Sequence, residues 1–159
     1  MFISKLPSWS KFKENQSKFE NNKMDVINEI KSDDQKAWYN RGISQSRQGK
    51  FDDAVASYDK AIEIRPDYYE AWYNLGNSLN ACGRFIDAVA SYDKAIEIRP
   101  DRYEFWTGRA WSLYKIKKYK ESDKNYDRVL ELKPDYQLAK DNQKIVKKKL
   151  SKHKTYSFE

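Results

Sequence analysis

Fifteen consecutive residues, 53–67 (DAVASYDKAIEIRPD), recur letter for letter 34 positions later as residues 87–101. A chain that copies itself at a fixed spacing of this length must build one supersecondary unit several times over, each copy covering part of the next. Cut at that period it yields three units, 35–68, 69–102 and 103–136, of which the first two agree at 23 of 34 positions. The third keeps Trp106, Leu113, Tyr119, Tyr126, Leu130 and Pro134 where the second has Trp72, Leu79, Phe85, Tyr92, Ile96 and Pro100.

Apolar spacing inside a unit predicts two helices. Phe85, Ala88, Val89, Tyr92, Ala95 and Ile96 fall on one stripe of the later helix, and Trp72, Leu75, Gly76 and Leu79 on one stripe of the earlier. Gly83 stands where the first helix must stop in a left-handed turn. Gly76 and Ala88 are small enough for the pair to approach closely, with Trp72 and Tyr92 filling the remaining space. Pro100 ends the second helix, since its ring lacks an amide proton and disfavours helix at Arg99. One such hairpin cannot bury its own stripe, so the hairpins must stack.

Trp72, Leu75-Gly76, Ala88, Tyr92, Ala95 and Pro100, with their counterparts in the other units, resemble the tetratricopeptide repeat over 102 of the 159 residues. The resemblance implies an all-α fold: a right-handed α-solenoid of helix-turn-helix repeats whose first helices line a concave side. It further implies that positions two, five, six, nine, twelve and thirteen of each unit face inward. Among these, Tyr39, Asn40, Ile43, Arg47, Tyr73, Asn74, Asn77, Asn80, Thr107, Trp111, Tyr114 and Lys115 form the candidate partner-binding groove. Asparagines with aromatics suit a peptide or helix, the amides pairing with a partner's backbone and the rings supplying rigid apolar area. Relatives that clamp a chaperone's C-terminal carboxylate use Lys and Asn, then Asn, then Lys and Arg. The matching positions here hold Tyr39, Ile43, Asn74, Glu104 and Gly108, so only Asn74 fits and that ligand is not expected.

Several departures from the repeat carry expectations of their own. Gln45 and Arg41 replace apolar residues in the first unit, implying a wetter neighbour on that side, and Arg109 repeats the Arg41 slot as a side chain snorkelling beside packed helices. Lys117 replaces the turn glycine, which costs on the order of 1 kcal/mol if the left-handed turn is kept. Ser122, Val129 and Ala110 change the small residues of the third unit, and Lys115, Lys117, Lys118 and Lys120 make a basic ridge with no acidic partner visible in the sequence.

Residues 1–34 do not follow the pattern and carry six basic and six acidic side chains. They read as an N-terminal extension with a helix over about 8–30 whose later part covers the first unit; the alternative is an anchor built from Phe2, Ile3, Leu6, Trp9 and Phe12. Residues 137–159 read as a C-terminal capping helix, with Leu138, Asn142, Ile145 and Val146 on one face, then a lysine tail that supplies +5 of the net +7 charge.

With 39% hydrophobic residues, 15% aromatics and no long apolar run, the composition fits one soluble helical domain with no membrane span, expected in the cytoplasm. Cys82 reads as a small filler and His153 stands alone, so no metal or cofactor site is expected, and no nucleophile, phosphate loop or dinucleotide fingerprint suggests an enzyme. The working part is then a surface: a scaffold or adaptor for a protein partner. The alternative is nucleic acid or an acidic surface held by the lysine tail with the repeats as carrier, and salt would weaken nucleic-acid binding steeply. Self-association through incompletely covered ends stays open.

Overall fold

The computed structural model describes residues 34–155, with side chains as far as Lys152. Those residues form seven helices and no strand: α1 (Gln35–Arg47), α2 (Phe51–Ile64), α3 (Tyr69–Ala81), α4 (Phe85–Ile98), α5 (Tyr103–Lys115), α6 (Tyr119–Leu132) and α7 (Gln137–Thr155). Each packs on the next, and the first helices α1, α3 and α5 also touch in succession. The expected helix over 8–30 and the alternative anchor of Phe2, Ile3, Leu6, Trp9 and Phe12 lie outside the described residues.

All three hairpin turns are built alike. Gly49, Gly83 and Lys117 hold φ of 75°, 77° and 64°. Each donates its amide to a carbonyl three residues back, and the next residue donates five back, as in Arg84 N–H to Leu79 O at 2.9 Å. This is the paired closure of a helix C-terminus that a left-handed residue permits. Lys117 therefore keeps the turn despite its side chain. Between units, the indole of Trp72 donates to Pro66 O at 2.8 Å and that of Trp106 to Pro100 O at 3.0 Å. Trp72 is half-buried, so it fastens the inter-unit loop as much as it fills the hairpin.

One tyrosine per unit plugs the core. Tyr58, Tyr92 and Tyr126 are at most 1% exposed, and they fit because the facing positions are small. A Cβ on Gly42 would stand 2.6 Å from the Tyr58 ring, and one on Gly76 would stand 2.7 Å from Tyr92. In the third unit Ala110 takes the glycine's place, and the buried Ser122 hydroxyl donates to Ala110 O at 2.8 Å, so the hydroxyl gained with Ser122 is satisfied within the hairpin.

Polar contacts tie one unit to the next on the opposite side. Arg109 on α5 pairs with Asp93 on α4 and donates to Asn125 on α6 at 3.0 Å. One period on, Gln143 on α7 donates to Asp127 on α6 at 2.6 Å. Arg109 thus fastens three helices rather than merely snorkelling. Gln45 is likewise satisfied inside its own hairpin, accepting from the Ser57 hydroxyl at 2.6 Å. Arg41 alone lies exposed, over the Trp38 ring.

The buried stripe of α7 differs from the expected one. Ala139, Gln143 and Val146 are buried and Leu150 packs beside them, whereas Leu138 is 52% and Ile145 48% exposed. The 34-residue register explains the shift: Ala139 and Gln143 occupy the slots of the buried Ala71 and Leu75. α7 is positioned as the first helix of a fourth unit.

Candidate functional site

Ile43, Ser46 and Arg47 on α1, with Asn74, Asn77 and Ser78 on α3, border a hollow of about 230 Å³. A second hollow, of about 440 Å³, lies between α3, α5 and α7 and includes Tyr73, Asn77, Asn80, Thr107, Trp111, Leu138 and Asn142. Asn77 borders both, so the two adjoin, and together they form a trough-like row along the first helices. Tyr114 reaches it through a pit of only about 10 Å³, roofed by Trp111, Asn142 and Ile145. Tyr39, Asn40 and Lys115, also expected to face inward, lie outside these linings; Asn40 and Lys115 are exposed at its borders and Tyr39 packs on Tyr58 and Tyr68.

Most of the amides in this trough are already engaged. The Tyr92 hydroxyl donates to Asn77 Oδ1 at 2.7 Å and accepts from Asn80 Nδ2 at 3.1 Å, while Ser112 donates to Asn80 Oδ1 at 2.8 Å. Asn74 Nδ2 donates to the Tyr39 hydroxyl at 3.0 Å. These asparagines therefore hold the core tyrosines, and each keeps only part of its hydrogen-bonding capacity for a partner. Burial pushes the Tyr39 phenol up to about 12, with neighbouring Tyr68 and Tyr58 adding to the effect.

Gly108 belongs to the trough by position but answers to packing. A Cβ there would stand 2.5 Å from Tyr92 Cζ, so the plug of the second unit is gripped by Gly76 on one side and Gly108 on the other.

The third unit breaks the pattern of amides. Where Asn77 and Asn80 hold Tyr92, the register puts Trp111 and Tyr114, which stack at 5.6 Å. The Tyr126 hydroxyl consequently lacks the pair of amides that holds Tyr92; burial pushes it up to about 12, with Asn142 on α7 as the one polar side chain that pulls the other way. The trough thus changes from polar to apolar as it reaches α7.

Charge varies along it. Position two carries Lys36, then Glu70, then Glu104, the last paired with Arg102 at 3.3 Å. Position thirteen carries Arg47, Lys115 and, on α7, Lys149. Lys115 lies over the Trp111 and Phe85 rings. Its neighbours are less isolated than expected, since Lys118 pairs with Glu121 at 3.4 Å, and Lys117, Lys118 and Lys120 border a separate hollow beside Leu150.

Leu138, Asn142 and Ile145 are the lining residues that apolar periodicity assigns to the wrong face. Carrying the inward positions one period further, to 138, 142 and 145, would have found them. Cys82 also gains a partner that spacing does not show, donating its thiol to Asp52 Oδ1 at 3.4 Å; burial, with Asp52 beside it, pushes the thiol up and keeps it protonated. Among the described residues no cluster of His, Cys, Asp and Glu is placed to hold a metal, and no helix is long and apolar enough to cross a membrane.

Helical hairpins stacked in one direction, with a trough floored by their first helices, define an α-helical repeat array. The tetratricopeptide repeat profile matches residues 39–103 and 83–137, and the chain belongs to that family. Comparison with curated proteins finds no match. Among solved structures, the first tetratricopeptide repeat (TPR) domain of the human RPAP3 protein aligns with a TM-score of 0.72 at 21% identity, covering 76% of this chain and 95% of that one. The first TPR of Spaghetti (RPAP3) bound to the HSP90 peptide SRMEEVD aligns with 0.72 at 22%, covering 74% and 93%. The Sgt2 TPR domain from Aspergillus fumigatus aligns with 0.70 at 16%, covering 76% and 82%. At these identities the likeness establishes the fold.

Proposed function

We propose that this chain is a non-enzymatic interaction module that holds a peptide or helix of a protein partner in the trough of its first helices. The observation that carries this reading is that the two hollows adjoin at Asn77, one between α1 and α3 and the other between α3, α5 and α7. Structurally similar domains that hold chaperone peptides lend it support. The partner differs from those peptides in how it ends. At the five positions where such relatives clamp a terminal carboxylate, Tyr39, Ile43 and Gly108 offer no charge, Asn74 is engaged by Tyr39, and Glu104 is an acid. An internal segment fits better than a chain end, because none of those five positions supplies a cation to neutralise a terminus.

Peptides selected from a displayed library against the intact chain test this directly. Arg47→Glu combined with Trp111→Ala alters two exposed lining residues, and binding should fall by about 2 kcal/mol, roughly thirtyfold, with helicity unchanged. Lys60→Glu with Lys94→Glu, on the second helices, should leave affinity unchanged. The reverse pattern would move the interface to the outer face. The lysines of α7 are tested by substitution rather than by truncation at 147, because Leu150 packs against the core.

A further inference from the structure

The most exposed large apolar side chains bordering the trough gather at one end of it. Trp111 is 41%, Leu138 52% and Ile145 48% exposed. Trp111 and Leu138 border the larger hollow and Trp111 and Ile145 roof the adjoining pit, so the three are contiguous. Isolated exposed apolar residues need no explanation, but a contiguous cluster inside a concave surface marks a docking place. Nothing in the capping role of α7 calls for it, since Ala139, Gln143 and Val146 already cover α6.

The charge around this end has one sign on one side. Lys115 stands at the C-terminus of α5, where the helix dipole favours a cation. Lys148 and Lys149 are exposed on α7, which runs on to Thr155, so no helix end compensates them. The acids nearby are engaged: Glu104 by Arg102, and Asp141 by Gln137 and Lys144. A cationic rim beside an apolar hollow selects an anionic neighbour next to an apolar anchor.

Resting on the groove reading above, we infer that the α5–α7 end of the trough is the anchoring subsite, and that it takes a protein segment with large aliphatic side chains flanked by acidic residues. The aliphatic groups enter between Trp111, Leu138 and Ile145, and the acids face Lys115, Lys148 and Lys149. The amide-rich end at α1 and α3 contacts the rest of the segment and contributes less, because Asn74, Asn77 and Asn80 are partly spent on tyrosines.

Three acetylated and amidated 14-residue peptides test the inference against the full chain: one glutamate-rich with leucines at i and i+4, the same with alanines for leucines, and a lysine-rich version keeping the leucines. Binding is read by fluorescence anisotropy, and its place by the Trp111 indole N–H resonance. The acidic leucine peptide should bind and shift that resonance, and each of the other two should bind at least tenfold more weakly. Leu138→Glu and Ile145→Glu should each weaken binding at least tenfold, and Lys148→Glu with Lys149→Glu should do so in a salt-dependent way. Failure of the acidic leucine peptide to bind, or equal binding of the lysine-rich one, overturns the inference. Binding that instead depends on Ile43 and Arg47 overturns the subsite and leaves the groove standing, whereas resonance changes confined to α2, α4 and α6 overturn both.

Discussion

Lys117 shows how much a single backbone angle weighs. Among the described residues it is the one non-glycine with positive φ, in a turn otherwise identical to those at Gly49 and Gly83. Its Cβ is crowded there, while a glycine would not be. Lys117→Gly should therefore raise stability by about 1 kcal/mol in urea unfolding, with no change in helix content; an unchanged midpoint would mean the turn relaxes around the lysine. Gly108 is the opposite case. A methyl group at 2.5 Å from Tyr92 Cζ has nowhere to go, because the ring is also pressed by Gly76 and its hydroxyl is held by Asn77 and Asn80. Overpacking of this kind costs about 1–3 kcal/mol. Gly108→Ala should lower the unfolding free energy by that amount, and a neutral result would show that the Tyr92 plug can slide.

At the scale of the helix, α7 separates what the sequence makes legible from what it hides. The second helices were readable because their stripe of Ala, Tyr and Ala is copied verbatim in the first two units and keeps its Tyr in the third, and the turns because glycine marks two of them. The phase of α7 misled, since Leu138 and Ile145 are more apolar than the Ala139 and Gln143 that are buried in their stead. Burial there is set by the slot in the repeat, where a small residue is needed against α6, and not by apolarity. Ala139→Glu should accordingly destabilise the chain by several kcal/mol, because it places an unpaired charge in a site with no exposure. Leu138→Glu, one residue away, should stay within about 0.5 kcal/mol of the parent. Thermal unfolding of the two variants decides the phase. The inward positions of the first helices were likewise legible as positions, but the engagement of their amides was not, because Asn74 meets Tyr39 across 35 residues and Ser112 meets Asn80 across 32.

Across the whole molecule packed phenols recur, Tyr58, Tyr92 and Tyr126 as plugs and Tyr39 against Tyr58 and Tyr68, and packing raises the pH at which each ionises. Burial holds Tyr39 in the first unit and Tyr126 in the third at about 12, and raises Tyr92 between them further. In the unfolded chain all three would ionise near 10. Between about pH 10 and 12 the folded state therefore binds more protons than the unfolded one, so stability falls as pH rises through that window and is fully present below it. Because each hairpin leans on its neighbours, ionising one plug should loosen the array rather than one unit. The urea midpoint should hold steady from pH 7 to 9 and drop beyond 10, with absorbance at 295 nm and helical ellipticity changing together. Lysines lose charge in the same range, so Tyr39→Phe isolates the phenol's share. Its midpoint should fall less steeply with pH than the parent's, and an identical slope would remove Tyr39 from the account.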